Sequence, residues 1–257
     1  LSHNYNLIVI GNRGKGGLAE RMLGTTSSSL PAAAYCPVVV IPYTDDSGKV
    51  MHLNNRIRRV VVGADESRWG VKAIETAAEF ADHWGAMLTV LSAVPNLTSM
   101  TGTGASGIDN SEQNSVMESY LEDLRSSIRP LHRKYPNLNI TESVVEGSAI
   151  EALTQASKDN DVVVVGSRGR GGFTGLIFGS VSQGLIQHAV GPVYVVPRKY
   201  VESAESESEE GTAQTAENVP AVPLESVKGI QEVSISQADD NTAKGLSDII
   251  DPQDRAS

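Results

Sequence analysis

Residues 162–172 read VVVVGSRGRGG, a run of four valines that passes directly into a glycine-rich turn. Consecutive β-branched residues without polar alternation are typical of a strand buried on both faces, as in parallel sheets. A helical pattern follows, and it starts at the pair Gly179-Ser180. Glycine lets backbone N–H groups approach a ligand closely, and a helix N-terminus presents unpaired N–H donors. The stretch therefore predicts a strand, an anion-binding loop and a helix, with phosphate as the expected anion.

The same stretch occurs twice in the chain. Residues 5–17 read YNLIVIGNRGKGG, and a second valine-rich segment, PVVVIP, follows at 37–42. A constant offset without a gap indicates an internal duplication. The offset between the two copies equals the length of one ordinary domain, about 100–150 residues. Five landmark pairs are each 155 residues apart: Gly11 and Gly166, Gly14 and Gly169, Gly24 and Gly179, Pro37 and Pro192, Pro42 and Pro197.

Residues 57–199 alternate strand and helix patterns, which predicts one complete α/β domain with a doubly wound, five-stranded parallel sheet. Ligands of such sheets bind beyond the carboxyl ends of the strands. The predicted strands end near Asp65, Val94 and Gly166, so these ends are expected to converge on one crevice. The predicted elements are strands at 60–65, 87–94, 140–145, 161–165 and 193–196, with helices at 68–84, 116–134, 149–158 and 180–190.

Residues 1–43 match only the last part of such a domain, with strands at 5–10 and 37–42 and a helix at 24–35. A segment this short cannot bury a core alone, so it is expected to pack on the complete copy. Counterparts of residues 57–155 would precede position 1, and the first residue is Leu. Two explanations stay open: a fragment of a longer tandem protein, or translation from a non-standard start codon.

Two segments read as non-globular. Residues 44–56 are polar and are interpreted as a linker. Residues 201–257 carry 13 acidic and three basic residues, which accounts for the whole net charge of −10. Ser, Glu, Gln, Asn and Pro dominate 200–257, so this tail is predicted to be disordered. It is read mainly as a solvating tail, and its apolar patches at 227–230 and 246–250 are candidate docking motifs for a protein partner.

Composition excludes several classes of function. The remaining chain is electrically neutral, which gives no support to nucleic-acid binding. No run of about 18 apolar residues and no signal-peptide pattern occurs, so a cytoplasmic protein without a membrane span is expected. Cys36 is the single cysteine and is expected to be a small core residue. The five histidines are scattered without metal-ligand spacing, and no catalytic set is recognisable.

The spacing of the glycines is more specific than their number. Two residues separate Gly166 from Gly169, and nine separate Gly169 from the pair Gly179-Ser180. No Gly-Lys-Ser/Thr follows, as a Walker A loop would require, and G-x-G-x-x-G is absent from the loop. Together with GADES at 63–67 and the Pro-bracketed strand at 192–197, the spacing resembles the nucleotide-binding signature of the universal stress protein family, specifically its tandem-type, ATP-binding members.

The resemblance implies an ATP site, with or without Mg²⁺. It places Asp65 near the ribose, unless Asp65 serves as a helix-entry cap, whereas Ser67 is read as the cap of the next helix. It places the backbone around Val165-Gly166 against ribose and phosphate. Arg168 and Arg170 can add charge-assisted bonds or remain solvated. The full expected set is Gly63, Ala64, Asp65, Ala93, Val165, Gly166, Arg168, Gly169, Gly179, Ser180 and Val181.

The function that the resemblance implies is nucleotide-dependent regulation in a stress response, with at most slow ATP hydrolysis because no base is placed to orient a water. Two alternatives stay open: a nucleotide-free interaction module, and an adenylating enzyme of the ATP pyrophosphatase type. The second ranks lower because residues 62–67, VGADES, lack the paired glycines of that class. Family domains pair through their last strands, so 38–41 is expected to pair with 193–196 in a pseudo-dimer, or copies to form a homo-oligomer. The first half-site, without counterparts of Asp65 and Ala93, is expected not to bind nucleotide.

Overall fold

A computed structural model describes residues 2–12, 24–42, 56–94, 110–169 and 178–203. The chain divides into two units, Leu1–Met51 with Ile57–Ser203 and His52–Arg56 with Ala204–Ser257, and every helix and strand below belongs to the first. The predictions for linker residues 44–55, for loop residues 95–109, for Arg170 and for the tail beyond Ser203 lie outside the described residues.

Seven strands form one sheet, in the spatial order β1-β2-β7-β6-β3-β4-β5. Neighbouring strands are parallel except for the antiparallel pair β2–β7. Strands β3 to β7 form the predicted parallel five-stranded domain, so the α/β fold class is confirmed. The first copy adds two further strands to this sheet through the predicted pairing of 38–41 with 193–196. The strands are β1 Ile8–Gly11, β2 Val38–Ile41, β3 Arg59–Ala64, β4 Met87–Val94, β5 Ile140–Glu146, β6 Val162–Gly166 and β7 Val193–Val196.

The two copies join within this sheet at the strand pair β2–β7, which we call the seam. Val38 pairs with Val195 and Val40 with Val193 in antiparallel register. All four valines are at most 2% exposed, so the seam is part of the core. The pairing of 38–41 with 193–196 predicted from the sequence is present. It gives the short first copy the packing partner that it could not provide itself.

Among the described residues, five helices of eight or more residues flank the sheet, and two bounds differ from the sequence prediction by more than two residues. Strand β1 starts at Ile8 and not at residue 5, because its ladder with β2 begins where Ile8 N–H donates to Pro37 O (3.0 Å). Helix α3 starts at Asn110, inside the predicted loop 95–115, and its first six residues are polar, so no apolar periodicity marks them. The described residues include no helix apolar and long enough to span a bilayer. The helices are α1 Thr25–Ala33, α2 Arg68–Trp84, α3 Asn110–Lys134, α4 Ala149–Ala156 and α5 Ser180–His188.

Both faces of the sheet are covered, which explains the uninterrupted valine runs. Val162 and Val164 face the core formed with α2 and α3, whereas Val163 and Val165 face the core formed with α4 and α5. Cys36 is 2% exposed, so its assignment as a small core residue is confirmed. Burial raises the pKa of its thiol, which makes it a poor nucleophile.

The packed chain extends beyond the predicted domain end. Residues 198–203 form a helical segment. Val201 is 2% exposed and belongs to the core beside α2, and Tyr200 packs against the same cluster. The sequence prediction includes residues 200–203 in the disordered tail because Ser and Glu dominate the segment 202–210. That prediction is wrong for these four residues, since composition averaged over a segment hides one buried valine.

Asp161 ties the start of β6 to the start of β3. Its Oδ2 accepts hydrogen bonds from Arg58 N (2.8 Å) and Arg59 N (2.9 Å), and its own N–H donates to Arg59 O (2.9 Å). We expect Asp161→Ala to lower the free energy of unfolding by about 1–2 kcal/mol, because two charge-assisted bonds are lost at a partly solvated site. Urea denaturation measures this, with Asp159→Ala, an exposed neighbour, as the matched control. Equal midpoints for the two variants would show that the carboxylate contributes nothing.

Candidate functional site

A crevice of about 540 Å³ opens at the carboxyl ends of β3, β4 and β6. Strand β3 lies between β4 and β6, so the chain winds away from it in both directions, and this is the switch point at which such sheets bind ligands. The structure brings together all eleven residues of the set that the resemblance implies. The lining includes Gly63, Ala64, Asp65, Ala93, Val165, Gly166, Arg168, Gly169, Gly179, Ser180 and Val181.

Asp65 occupies the turn between β3 and α2. Its Oδ1 accepts from Ser67 N (3.0 Å) and from Ser67 Oγ (2.5 Å). Ser67 Oγ in turn accepts from Gly70 N (3.0 Å), so the predicted cap of α2 is confirmed. A methyl group at Gly169 would overlap Asp65 Oδ2, and one at Gly70 would overlap Oδ1. Asp65 therefore helps to form the helix entry and also lines the crevice, and the two interpretations are compatible.

The glycine loop and the start of α5 form the polar end of the crevice. Gly179 caps α5 in extended conformation without a side-chain cap, and its N–H donates to Ser167 O (2.8 Å). The first intrahelical bond runs from Gln183 N to Gly179 O (3.0 Å). The N–H groups of residues 180–182 therefore precede the hydrogen-bond ladder of the helix. Such amides, on a helix that begins at the crevice, can bind an anion.

Sequence reasoning missed two serines that hold this loop. Ser182 Oγ donates to Gly179 O (3.0 Å) and is 1% exposed. Ser167 is fully buried, and its Oγ accepts from Arg198 N (2.8 Å). The signal for Ser182 was present, since Ser27 occupies the position 155 residues earlier. A buried serine three residues after a capping glycine has few roles other than to bond the turn.

The first copy repeats this turn. Gly24 N–H donates to Asn12 O (3.1 Å), and Ser27 Oγ donates to Asn12 O and to Gly24 O (both 2.9 Å). Gly24 caps α1 with φ −63° and ψ 150°, close to the φ −76° and ψ 147° of Gly179. The duplication therefore extends to hydrogen bonding. The first copy brings no counterpart of Asp65 or Ala93, and its inability to bind nucleotide stays a prediction.

The crevice wall at β4 is apolar, since this strand contributes Leu91 and Ala93. Strand β4 lies on the other side of β3 from β6, after which the chain leads to the start of α5. Leu153 is 2% exposed, and a Cβ at Gly63 would lie 2.8 Å from its Cδ1, so a glycine is needed at position 63 because a core leucine fills the space beside it. An apolar wall and N–H donors in one crevice suit a ligand with a flat ring and an anionic group. The lining residues that the sequence analysis did not single out include Leu91, Leu153, Phe178, Gly70 and Ala149.

Comparison with known proteins gives a consistent result. The profile described as the Universal stress protein family matches residues 2–42 and 56–197, which is most of the chain. A universal stress protein of Mycolicibacterium smegmatis is 31% identical over 195 residues, which cover 76% of this chain and 63% of that protein. One of Mycobacterium tuberculosis is 34% identical over 195 residues, covering 76% and 62%. The chain therefore spans less than two thirds of the length of these relatives.

Solved structures share the fold. A universal stress protein from Archaeoglobus fulgidus superimposes with a TM-score of 0.51 at 22% identity, covering 77% of this chain and 62% of that one. A functionally unknown protein from Pseudomonas aeruginosa also gives 0.51, at 18% identity, covering 82% and 69%. At this identity the likeness concerns the architecture alone.

Proposed function

The chain belongs to the universal stress protein family, and on that premise we propose that its crevice binds an adenine nucleotide, with ATP as the expected ligand. The observation that carries the proposal is that the start of α5 and the apolar residues of β4 line one crevice. The N–H groups at the start of α5 suit the phosphates, and the apolar wall at Leu91 and Ala93 suits the base. In this proposal, the bound nucleotide sets a conformation that a partner reads in a stress response.

The phosphate end combines three kinds of donor. The amides at the start of α5 carry partial positive charge from the helix dipole. Ser180 is exposed, so its hydroxyl is accessible beside them. Arg168 lines the same crevice and supplies a full positive charge. These groups match the negative charge of a polyphosphate.

Asp65 would contact the ribose of the nucleotide, as the resemblance implies. Its Oδ1 is engaged in the helix entry, and its Oδ2 faces Gly169 in the crevice wall. A carboxylate held in this way can accept hydrogen bonds from sugar hydroxyls. The glycines at 70 and 169 leave the room that this carboxylate needs.

We expect Mg²⁺ to bind in this crevice only together with the nucleotide, through its phosphates. No group of three or more His, Cys, Asp and Glu side chains that could hold a metal occurs in the part of the chain that the structure describes. Of the described side chains lining the crevice, Asp65 is the single carboxylate. Mg²⁺ commonly binds through substrate phosphates, waters and one or two carboxylates. The residues present therefore suit an ion carried in by ATP.

Slow hydrolysis at most is expected. Asp65 and Arg168 are the ionisable side chains among the described lining residues, and Asp65 is bonded into the helix entry. Rapid transfer of the γ-phosphoryl group needs a residue that orients the attacking water. The proposed role is therefore binding and regulation. The lack of a paired-glycine motif in VGADES keeps the adenylating enzyme as the weaker alternative.

We propose that the first copy acts as an architectural element. Strand β7 is paired on one edge with β6 and on the other with β2. A homo-oligomer through β7 would have to displace β2. The pseudo-dimer within one chain therefore takes the place of pairing between two chains. This part of the protein corresponds to the nucleotide-free interaction module that the sequence left open.

Titration with nucleotide tests the proposed function. We expect ATP to bind with measurable heat, and a concentration 100-fold above the dissociation constant to stabilise the protein by about 2.7 kcal/mol. For a protein of this size the thermal midpoint should rise by about 5–10 °C. Mass spectrometry of small molecules released from the denatured protein should detect adenine nucleotide. The absence of binding heat, of a midpoint shift and of released nucleotide would contradict the proposal.

A further inference from the structure

The ring of Trp69 contacts two guanidinium groups beside the crevice. It is the second residue of α2 and packs against the core beneath that helix. The Cζ atom of Arg168 is 5.5 Å from the centroid of its ring, and that of Arg68 is 4.9 Å away. Both distances fall within the range of cation–π contacts. Arg168 also lines the crevice, so the indole contacts a side chain of the candidate site without lining it.

The surroundings of Trp69 hold it against the loop. Its carbonyl oxygen lies 3.2 Å from the position that a Cβ on Gly166 would take. Arg68 Nη2 and Arg198 Nε each lie 3.4 Å from Glu202 Oε1. Arg198 N–H in turn donates to Ser167 Oγ inside the loop (2.8 Å). These contacts connect the first turn of α2, which carries Trp69, to the glycine loop and to the segment 198–203.

The choice of tryptophan at this position is not explained by stability. Its Nε1 is buried and finds no hydrogen-bond partner among the described residues, and a buried unsatisfied donor costs about 1–3 kcal/mol. Phenylalanine would fill the core without that donor. What tryptophan adds is the strongest cation-binding face among the aromatic residues. A residue that is unfavourable for stability beside a candidate site is expected to serve the site.

We propose that Trp69 is a positioning residue, whose ring holds the Arg168 guanidinium at the crevice so that it meets the phosphate end of the ligand. The inference rests on the proposed nucleotide binding and deepens it. An arginine side chain carries about 2 kcal/mol of rotamer entropy, which it loses when it binds a phosphate. Contact with a fixed aromatic face removes part of that loss before the ligand arrives. The affinity for ATP therefore depends on Trp69 through Arg168.

A double-mutant cycle tests this dependence. Trp69→Leu, Arg168→Met and the double variant are titrated with ATP by calorimetry. We expect Arg168→Met to weaken binding about tenfold, and Trp69→Leu about three- to tenfold, as cation–π energies imply. The double variant should bind no more weakly than Arg168→Met alone. Trp69→Phe, which keeps a weaker ring face, should lose part of the affinity but less than Trp69→Leu, and this difference should vanish in the Arg168→Met background.

Trp84 provides the matched control. It lies on the same helix about 22 Å along the axis from Trp69, packs partly buried against the same core and contacts the rings of Phe80 and His83. Trp84→Leu should lower the thermal midpoint without changing the ATP affinity. The chain has two tryptophans, so Trp84→Phe leaves Trp69 as the sole indole reporter. Adding Arg168→Met to that variant should shift the indole emission of the ligand-free protein.

The outcomes separate this inference from the proposed function. Additive losses in the cycle, or equal losses of affinity in Trp69→Leu and Trp84→Leu, would overturn the inference while leaving nucleotide binding intact. An unchanged indole emission on Arg168→Met would also overturn it. If the parent protein binds no ATP, the proposed function and the inference fail together.

Discussion

Replacing Gly179 by valine is expected to weaken ATP binding by about 100-fold or more, which corresponds to about 2.7 kcal/mol. A Cβ at this position would lie 3.2 Å from Ser167 O and 3.4 Å from Ser182 Oγ. The branched side chain would therefore push the loop away from the start of α5 and cover the amides at residues 180–182. The φ of Gly179 is −76°, which valine can adopt. The expected effect thus comes from crowding in the crevice and not from backbone strain.

Calorimetric titration with ATP measures the loss, and the internal duplication supplies the control. Gly24 holds the equivalent place in the first copy, with the same bond from its N–H to the residue-12 carbonyl. Gly24→Val should leave the affinity unchanged because the first half-site is expected to bind no nucleotide. Adding Ser180→Ala to Gly179→Val should remove what binding remains. If Gly179→Val bound ATP within threefold of the parent, the amides of α5 would not be the phosphate site.

Ending the chain after Lys199 is expected to lower the thermal midpoint by about 6–12 °C, whereas ending it after Ser203 should leave the midpoint nearly unchanged. The shorter chain loses Val201, which is 2% exposed, and the packed ring of Tyr200. Burial of a valine side chain contributes about 1.5–3 kcal/mol, and each kcal/mol corresponds to about 2–4 °C in a domain of this size. The sequence pattern places the boundary at Tyr200 and predicts almost no change there.

Thermal unfolding followed by circular dichroism distinguishes the two truncations. Val201→Ala in the full chain should reproduce part of the loss, about 1–2 kcal/mol, since most of the buried side chain is removed. A midpoint that falls equally for both truncations would show that residues beyond Ser203 contribute to stability. A midpoint that falls for neither would show that the packing of Val201 is energetically unimportant.

Local sequence patterns were sufficient to predict much of the fold of this protein. The valine run at 162–165 predicted a strand buried on both faces, because no polar residue interrupts it. The 155-residue offset predicted two copies of one unit, and the structure repeats even the bond from Ser27 to Asn12 O that Ser182 makes to Ser167 O (3.4 Å). The resemblance to the universal stress protein family named the site residues, and the strand ends predicted that they lie at one crevice, since parallel strands all end at the same edge.

Other features depend on contacts between residues far apart in the chain. Leu153 and Phe178 line the crevice from α4 and from the approach to α5, and their own sequence contexts read only as core. Helix α3 starts six residues before its apolar pattern, because the polar residues 110–115 carry no such signal.

Periodicity and spacing were enough to specify the α/β class and the duplication, because they act within one element or one turn, and the resemblance to the universal stress protein family named the residues of the candidate site. The folded arrangement was needed to establish that β2 joins β7 in antiparallel register, that Val201 completes a core and that Trp69 contacts Arg168. The first and last of these contacts join residues far apart in the chain, and Val201 is a buried side chain within a polar segment. Their free energy comes from surfaces that meet only after the chain has folded, so no local pattern records them.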